Sequence, residues 1–198
     1  MHYLLIDQNP RMVSAWRDFF GEEENVKILE GDLTSVTCDA IVSPANSFGF
    51  MDGGVDYAIS MRLGWELQST LQKIIQDLPE GELIVGKALI LETGDDLIPY
   101  LVSSPTMRVP MSFNISTSVN AYLAMKATLI ETKNHPKINF VAIPGFCTGV
   151  GKMHPQIAAR QMYQAYKEII KGEKMDFKGF AEAQKYHWEI NPQGLIFE

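Results

Sequence analysis

Residues 39–46 read Asp-Ala-Ile-Val-Ser-Pro-Ala-Asn and residues 53–59 read Gly-Gly-Val-Asp-Tyr-Ala-Ile, and these two segments decide the fold. The first predicts a buried strand with the polar Asn46 at its carboxyl end, and the second contains two glycines followed directly by a predicted helix. Glycines let backbone N–H groups approach a ligand closely, and the N-terminus of a helix favours a negative charge. The sequence therefore predicts an anion site built from backbone rather than from lysine side chains.

Apolar runs, which predict strands, alternate with apolar residues spaced three or four apart, which predict helices. We expect strands over residues 3–7, 26–30, 39–43, 83–91, 100–102 and 138–143, and helices over residues 11–20, 54–78, 119–132 and 155–170. Gly64 is a point where the second helix could bend or stop, and Ser116 or Ser118 can cap the third. This alternation implies a layered α/β sheet with ligands at the carboxyl ends of the strands, where Asn46 and Thr148 fall.

Length and composition bound the class of protein. At 198 residues, with 46% hydrophobic and 21% charged residues, the chain fits a single globular domain over 1–198. The net charge of -7 argues against general nucleic-acid binding, although backbone amides and a helix end can still hold one pyrophosphate. No apolar run is long enough to span a membrane, and the first residues lack a basic start and a cleavage site. We therefore expect a cytoplasmic protein with no membrane partner.

The two cysteines give no sign of a disulfide or a metal site, because Cys38 and Cys147 are far apart in sequence and show no metal-ligand spacing. Cys147 precedes His154, and such a pair could form a nucleophile. Nothing in the sequence marks a reactive thiol, however, so a buried inert cysteine is the favoured interpretation.

Four motifs occur in a fixed order: Gly31-Asp32-Leu33-Thr34, residues 39–46, residues 53–59 and Thr148-Gly149-Val150-Gly151. In order and spacing they resemble the macro domain family, whose members bind ADP-ribose. The resemblance covers roughly residues 31–170. It implies a three-layer α/β/α fold with a mixed central sheet, and ADP-ribose or an ADP-ribosylated substrate as the partner. It implies no cofactor and no metal.

The resemblance also implies roles for single residues. The Asp32 carboxylate would accept from the adenine amino group, and the backbone N–H of Leu33 would donate to a ring nitrogen. Asn46 would bind the distal ribose. The simpler alternatives are an Asp in a polar turn and a turn-forming Asn.

The two glycine motifs resemble the phosphate loops of the family. Gly53, Gly54 and Val55 would form the first loop, and Thr148, Gly149, Val150 and Gly151 would form the second. Many family members carry an aromatic residue where this chain has Gly151. A cover over the distal ribose could instead come from Phe48, Phe50 or His154.

The candidate catalytic residues are Asn46, which would orient water, and Asp56, which would polarise it. Asp56 matches an acidic position of the hydrolytic branch of the family, but a carboxylate in the first turn of a helix is also stabilised by the helix dipole alone. Ser43 and Pro44 stand where the family has Asn and Ala, and Pro44 removes a backbone donor.

Residues 172–198 lie beyond the resemblance and form a C-terminal extension. Its aromatic residues predict that it packs onto the domain, and they are Phe177, Phe180, Tyr186, Trp188 and Phe197. Covering a sheet edge and forming a dimer contact are equally open, and the oligomeric state is not predicted.

Two enzyme classes and one binding module fit these features. The favoured function is binding of ADP-ribose with hydrolysis at the distal ribose, which would remove an ADP-ribosyl group from protein or an acyl group from O-acetyl-ADP-ribose. The alternative is a module that only binds ADP-ribose or a related nucleotide. A remote alternative is a nucleotide-type methyltransferase, suggested by Asp7, Asp32 and Asp39, although the first strand is not followed by a glycine-rich loop.

Overall fold

One mixed sheet lies at the centre of the structure, a computed structural model that describes residues 1–113 and 115–192. The strands in these ranges are β1 (His2–Asp7), β2 (Val26–Glu30), β3 (Ala40–Ser43), β4 (Leu89–Glu92), β5 (Tyr100–Ser103) and β6 (Phe140–Ile143). Their order across the sheet is β2-β1-β6-β3-β5-β4. The pair β4 and β5 is antiparallel, and the other neighbouring strands run parallel.

Helices cover both faces of this sheet. They are α1 (Pro10–Phe20), α2 (Gly54–Leu63), α3 (Glu66–Gln76), α4 (Asn120–Asn134), α5 (Pro155–Ile169) and α6 (Phe180–Ile190). Successive strand residues point to opposite faces, so Leu5 and Val42 pack with α1, α4 and α5, whereas Ile6 and Ile41 pack with α2 and α3. The predicted three-layer α/β/α fold with a mixed sheet is confirmed. None of the helices in the described ranges has the length and apolar character that a membrane crossing would need.

At the starts of two helices, a polar side chain of the preceding segment accepts from a backbone N–H of the first turn. The helix α5 begins at Pro155, and Nδ1 of His154 accepts from the N–H of Gln156 at 3.3 Å. The helix α4 begins at Asn120, whose N–H donates to Oγ of Ser118 at 3.2 Å. Of the two serines that could cap α4, Ser118 is therefore the one in contact.

The helix predicted over 54–78 is interrupted at Gly64, the point where the sequence allowed a bend or a stop. Gly64 has a φ of 99°, which is outside the helical region, so α2 ends at Leu63 and α3 begins at Glu66. The apolar spacing continues across the break because both helices bury residues against the same face of the sheet.

The strand predicted over 83–91 is also mostly wrong, since β4 starts only at Leu89. Gly86 has a φ of 99° and lies in a turn closed by the bond from the N–H of Lys87 to the carbonyl of Ile84 (3.0 Å). Leu83 is buried, but its N–H donates to the carbonyl of Ser47 at 2.9 Å rather than to a strand. The apolar run that predicted a strand is partly a loop, and Leu83 of this loop packs into the core.

The C-terminal helix α6 packs against α5. The carbonyl of Glu189 accepts from Nη1 of Arg160 at 3.1 Å, and the hydroxyl of Tyr186 donates to the carboxylate of Glu168. Glu168 is buried and also accepts from Tyr122 at 2.8 Å and Lys126 at 2.7 Å. The extension is thus joined to the domain through a buried carboxylate as well as through apolar contacts.

The other aromatic residues of the extension differ in their surroundings. Phe177 lies against Tyr186, with ring centroids 5.6 Å apart, whereas Phe180 is exposed. Phe197 lies outside the described residues, as do all of residues 193–198.

Candidate functional site

A cavity of about 340 Å³ opens at the carboxyl ends of the parallel strands. Its walls are the segments that follow β1, β3, β5 and β6, together with the first turn of α2. The residues of the described ranges that line it are Asp7, Asn9, Pro44, Ala45, Asn46, Phe50, Asp52, Gly53, Gly54, Val55, Asp56, Thr106, Met107, Pro110, Gly145, Cys147, Thr148, Gly149, Val150 and Gly151. The volume suits a small-molecule site. Both predicted glycine loops and both predicted catalytic residues are brought together here.

The first glycine loop ends in an open helix N-terminus. Gly53 is the N-cap of α2, and no side chain caps this end of the helix. Gly54 has a φ of 56°, and a Cβ built on Gly53 or Gly54 would meet nothing within 4 Å. The backbone N–H groups of the first turn therefore receive no side-chain cap, and their contact with a ligand stays a prediction.

The second glycine loop is more tightly packed. A Cβ at Gly151 would lie 2.6 Å from the carbonyl oxygen of Cys147 and 2.7 Å from Cγ2 of Ile115, so no side chain fits there. Gly149 has open space around it. Cys147 itself has a φ of 63°, which is uncommon for a residue other than glycine, and it turns the chain away from β6.

Asn46 lines the cavity, but its amide is bonded within its own loop. Nδ2 donates to the carbonyl of Phe50 at 2.7 Å, and Oδ1 accepts from the N–H groups of Phe48 (3.1 Å) and Phe50 (3.3 Å). The structure thus shows the turn-forming arrangement that was the alternative to ligand binding. A contact between Asn46 and a ligand stays a prediction.

Asp56 combines burial with access to the cavity. It is 8% exposed, and its Oδ1 accepts from the hydroxyl of the fully buried Ser43. Burial raises the pKa of Asp56 to about 6, the bond from Ser43 opposes this rise, and the charge of Asp52 adds to it. A carboxyl group with this pKa is suited to exchange protons near neutral pH.

The Macro domain family model matches residues 42–162. The chain belongs to the Macro domain family. An uncharacterized protein of Aquifex aeolicus is 32% identical over 145 residues, which cover 73% of this chain and 82% of that protein. A Cronobacter sakazakii protein named O-acetyl-ADP-ribose deacetylase is 30% identical over 139 residues, which cover 69% of this chain and 73% of that protein.

Solved structures agree on the fold of this macro domain. A mutant Oceanobacillus iheyensis macrodomain with ADPR has a TM-score of 0.62 at 20% identity, over 83% of this chain and 88% of that chain. The predicted family membership is confirmed. Both the sequence family and the structural likeness argue against the methyltransferase interpretation.

Asp32 and Leu33 of the macro domain do not line the cavity. Oδ1 of Asp32 accepts from the N–H and from the hydroxyl of Thr34, each at 2.8 Å, and so caps a short 3-10 turn over Leu33–Ser35. Leu33 is buried beneath α2. Their predicted contacts with adenine stay predictions.

Asp7 is a cavity residue that the sequence interpretation did not assign to the site. Its Oδ1 accepts from the N–H of Asn9 at 2.8 Å, and its Oδ2 accepts from the N–H of Gly145 at 3.0 Å. The carboxylate thus ties the end of β1 to the segment after β6. Its position at the end of a predicted strand was the available signal for a site residue, because parallel strands end at one edge of the sheet.

The segment after β5 was also left out of the predicted site. Thr106, Met107 and Pro110 line the cavity, and Met107 forms an isolated bridge with Asn46. The sequence contains no motif for them, and only the pairing of β5 with β3 brings them to the site.

Of the three aromatic or imidazole side chains considered as a cover, only Phe50 lines the cavity, and it is 52% exposed. The ring of Phe48 lies under the guanidinium of Arg108, whose Cζ is 4.9 Å from the ring centroid. His154 caps α5 instead. A cover over the ligand by Phe50 stays a prediction.

The charged groups that line the cavity are the carboxylates Asp7, Asp52 and Asp56; Lys, Arg and His are absent from its described lining. Burial raises the pKa of Cys147 to about 12, which fits the predicted inert thiol. No group of three or more His, Cys, Asp or Glu side chains within the described ranges is arranged to hold a metal.

Proposed function

We propose that this macro domain binds ADP-ribose or a close derivative in the cavity. The observation that carries the proposal is that two glycine loops, one of them an uncapped helix N-terminus, line the same cavity. Backbone N–H groups can hold a pyrophosphate there without a cation from a side chain. The ADPR in the Oceanobacillus iheyensis structure and the name of the Cronobacter sakazakii relative support this choice of ligand.

In this proposal the adenine lies beyond the cavity, at the turn of Asp32 and Leu33. The turn adjoins the cavity because the N–H of Gly31 donates to the carbonyl of Asp7 at 3.1 Å, and Asp7 is a lining residue. Oδ1 of Asp32 serves the turn, which leaves Oδ2 for the adenine amino group. The N–H of Leu33 donates to a ring nitrogen.

The proposed reaction is hydrolysis at the distal ribose. Asp56 accepts a proton from water, the water oxygen adds to the carbon of the bond that is cleaved, and the proton passes to the leaving oxygen. With O-acetyl-ADP-ribose the products are acetate and ADP-ribose, and with a mono-ADP-ribosylated protein they are the free side chain and ADP-ribose. Asn46 positions the water and the ribose, and its bonds to the backbone of residues 48–50 hold the cavity wall in place.

Two measurements test the proposal. Calorimetry should show binding of ADP-ribose and none of S-adenosylmethionine. Incubation with a mono-ADP-ribosylated protein and with O-acetyl-ADP-ribose should release ADP-ribose from at least one of them.

The variant Asp56→Asn should keep the affinity for ADP-ribose but lower the turnover by about tenfold or more, because proton transfer is lost. Equal turnover by this variant would remove Asp56 from the mechanism.

A binding module without catalysis is the second candidate. The observation in its favour is that the Asn46 amide already bonds to its own loop, which leaves only the second N–H of Nδ2 for water or a ligand. A protein that binds ADP-ribose but releases nothing from either substrate would establish this alternative for those substrates.

A further inference from the structure

Ser43 is buried directly behind the cavity and is in contact with one of its lining residues. It is the last residue of β3, it is fully buried, and its side chain is not part of the cavity wall. Its hydroxyl donates to Oδ1 of Asp56, which does line the cavity. The end of a strand is thereby joined to the first turn of α2.

We propose that Ser43 is a positioning residue that fixes the orientation of the Asp56 carboxylate and presents one of its oxygens to the ligand. The proposal rests on the proposed function, in which Asp56 accepts a proton from water. In residues 1–113 and 115–192 no donor bonds to Oδ2 of Asp56. Oδ1 is held by Ser43, so Oδ2 is the oxygen that faces a substrate or water.

The start of α2 is held by other contacts, so Ser43 is not needed to place the helix itself. The hydroxyl of Ser60 donates to the carbonyl of Met51 at 2.9 Å, and the N–H of Met51 donates to Gln68 of α3 at 2.7 Å. These bonds fix the loop that leads into α2. The hydroxyl of Ser43 therefore acts on the carboxylate rather than on the backbone.

The charges around Asp56 make this hydroxyl important. Asp52 lies in the loop before α2, and Asp7 and Cys147 line the cavity from the segments after β1 and β6. Among the described lining residues none is a cation that could stabilise an ionised Asp56. Burial and Asp52 raise the pKa of Asp56, and the bond from Ser43 lowers it. Loss of the hydroxyl should raise that pKa further.

The adjacent strand supplies a matched control. Ser103 of β5 is paired in register with Ser43 and is equally buried, but its hydroxyl has no hydrogen-bond partner in the structure. The variants Ser43→Ala and Ser103→Ala remove the same atom from the same level of the sheet. Only the first removes a bond to Asp56.

The test is an NMR titration of the Asp56 side-chain carboxyl in the ligand-free protein. Ser43→Ala should shift the midpoint upward by about one pH unit, whereas Ser103→Ala should leave it unchanged. An unchanged midpoint in folded Ser43→Ala, or an equal shift in Ser103→Ala, would overturn the proposal. The titration needs no ligand, so its outcome does not depend on ADP-ribose binding. A failure to bind ADP-ribose would refute the proposed function and leave the titration result unchanged.

Turnover and a rescue variant provide the second readout. If the protein hydrolyses its substrate, Ser43→Ala should lower kcat, leave KM nearly unchanged and move the acidic limb of the pH profile upward, and Ser43→Thr should restore these values because it keeps a hydroxyl. If Ser43→Ala is too unstable to titrate, the stability loss that it causes is measured by thermal unfolding in the wild type and in Asp56→Ala. The loss should be smaller in Asp56→Ala, because the bond to Asp56 is already absent there. An equal loss in both backgrounds would mean that Ser43 has only a packing role.

Discussion

The two glycine loops of the cavity need glycine for different physical reasons. In the first loop, Gly54 has open space around it but a φ of 56°, a backbone conformation that other residues adopt only at a cost in free energy. In the second loop, Gly151 has no positive φ, but a Cβ would meet the backbone of Cys147 at 2.6 Å. The first loop is limited by backbone conformation and the second by space.

This difference also separates the functions of the loops. The first loop has no side-chain cap and leads into the first turn of α2, which contains the titratable Asp56. The second loop is closely packed at Gly151 and follows Cys147, whose pKa burial raises to about 12. Substitutions in the first loop should therefore affect binding and pH dependence, and a substitution at Gly151 of the second should affect stability.

The largest expected effect is that of Gly151→Val. The new side chain would overlap the carbonyl oxygen of Cys147 and the Ile115 methyl group, so the loop must move. We expect a loss of about 3 kcal/mol in the free energy of unfolding, measured by urea denaturation. Gly149→Ala is the control, because a Cβ there meets nothing within 4 Å, and its change should stay within about 0.5 kcal/mol. Similar losses in both variants would show that the loop does not limit space.

The next effect concerns the charge of the first loop. Because the folded-state pKa of Asp56 is raised from 3.8 to about 6, ionisation in the folded protein costs stability. This cost is absent below pH 3.8, grows between pH 3.8 and about 6, and is complete above that pH. Asp56→Asn removes the cost, so it should stabilise the protein by up to about 3 kcal/mol at pH 7.5 and by much less at pH 4.5. Urea denaturation at the two pH values measures the difference. A gain of equal size at both would contradict the raised pKa.

A smaller effect on stability, but a large one on binding, is expected for Gly54→Val. The positive φ should cost about 1–2 kcal/mol of stability, and the side chain should obstruct the phosphate path and abolish measurable ADP-ribose binding. Gly81→Val is the matched control, since Gly81 has a φ of 66° and open space but lies outside the cavity lining. Both variants should lose similar stability in thermal melts. Calorimetry should show lost affinity in Gly54→Val alone, and retained affinity there would contradict the role of the first loop.

The contrast between the loops also explains what the sequence could predict. Gly53, Gly54, Gly149 and Gly151 mark turns after strands, and the α/β pattern brings both turns to one edge of the sheet. The family and the fold followed from this order of motifs. The reason for glycine at residue 151 did not, because it depends on Ile115 and on the backbone of Cys147, which are contacts made only in the folded chain.

The same limit applies to the polar residues. Ser43 was visible as a departure from the family pattern, but its bond to Asp56 depends on how β3 and α2 meet. Asn46 was correctly expected at the end of β3, yet its bonds to Phe48 and Phe50 are set by the loop that follows. The loop over 83–88 was mispredicted, and at Gly64 a bend and a stop both stayed open, because apolar spacing reports burial and not backbone conformation.

The smallest expected effect lies outside both loops, at Asp32. Its Oδ1 already accepts two bonds from Thr34, so Oδ2 is left for an adenine amino group. Asp32→Ala should therefore weaken ADP-ribose binding by about 1 kcal/mol, roughly fivefold in Kd, which calorimetry can measure. A ligand with hypoxanthine in place of adenine is the internal control, because its carbonyl oxygen would be repelled by the carboxylate. The wild type should prefer the adenine form, and the variant should lose that preference. If the wild type binds both forms equally, the carboxylate only caps its turn, and base recognition has to come from another part of the surface.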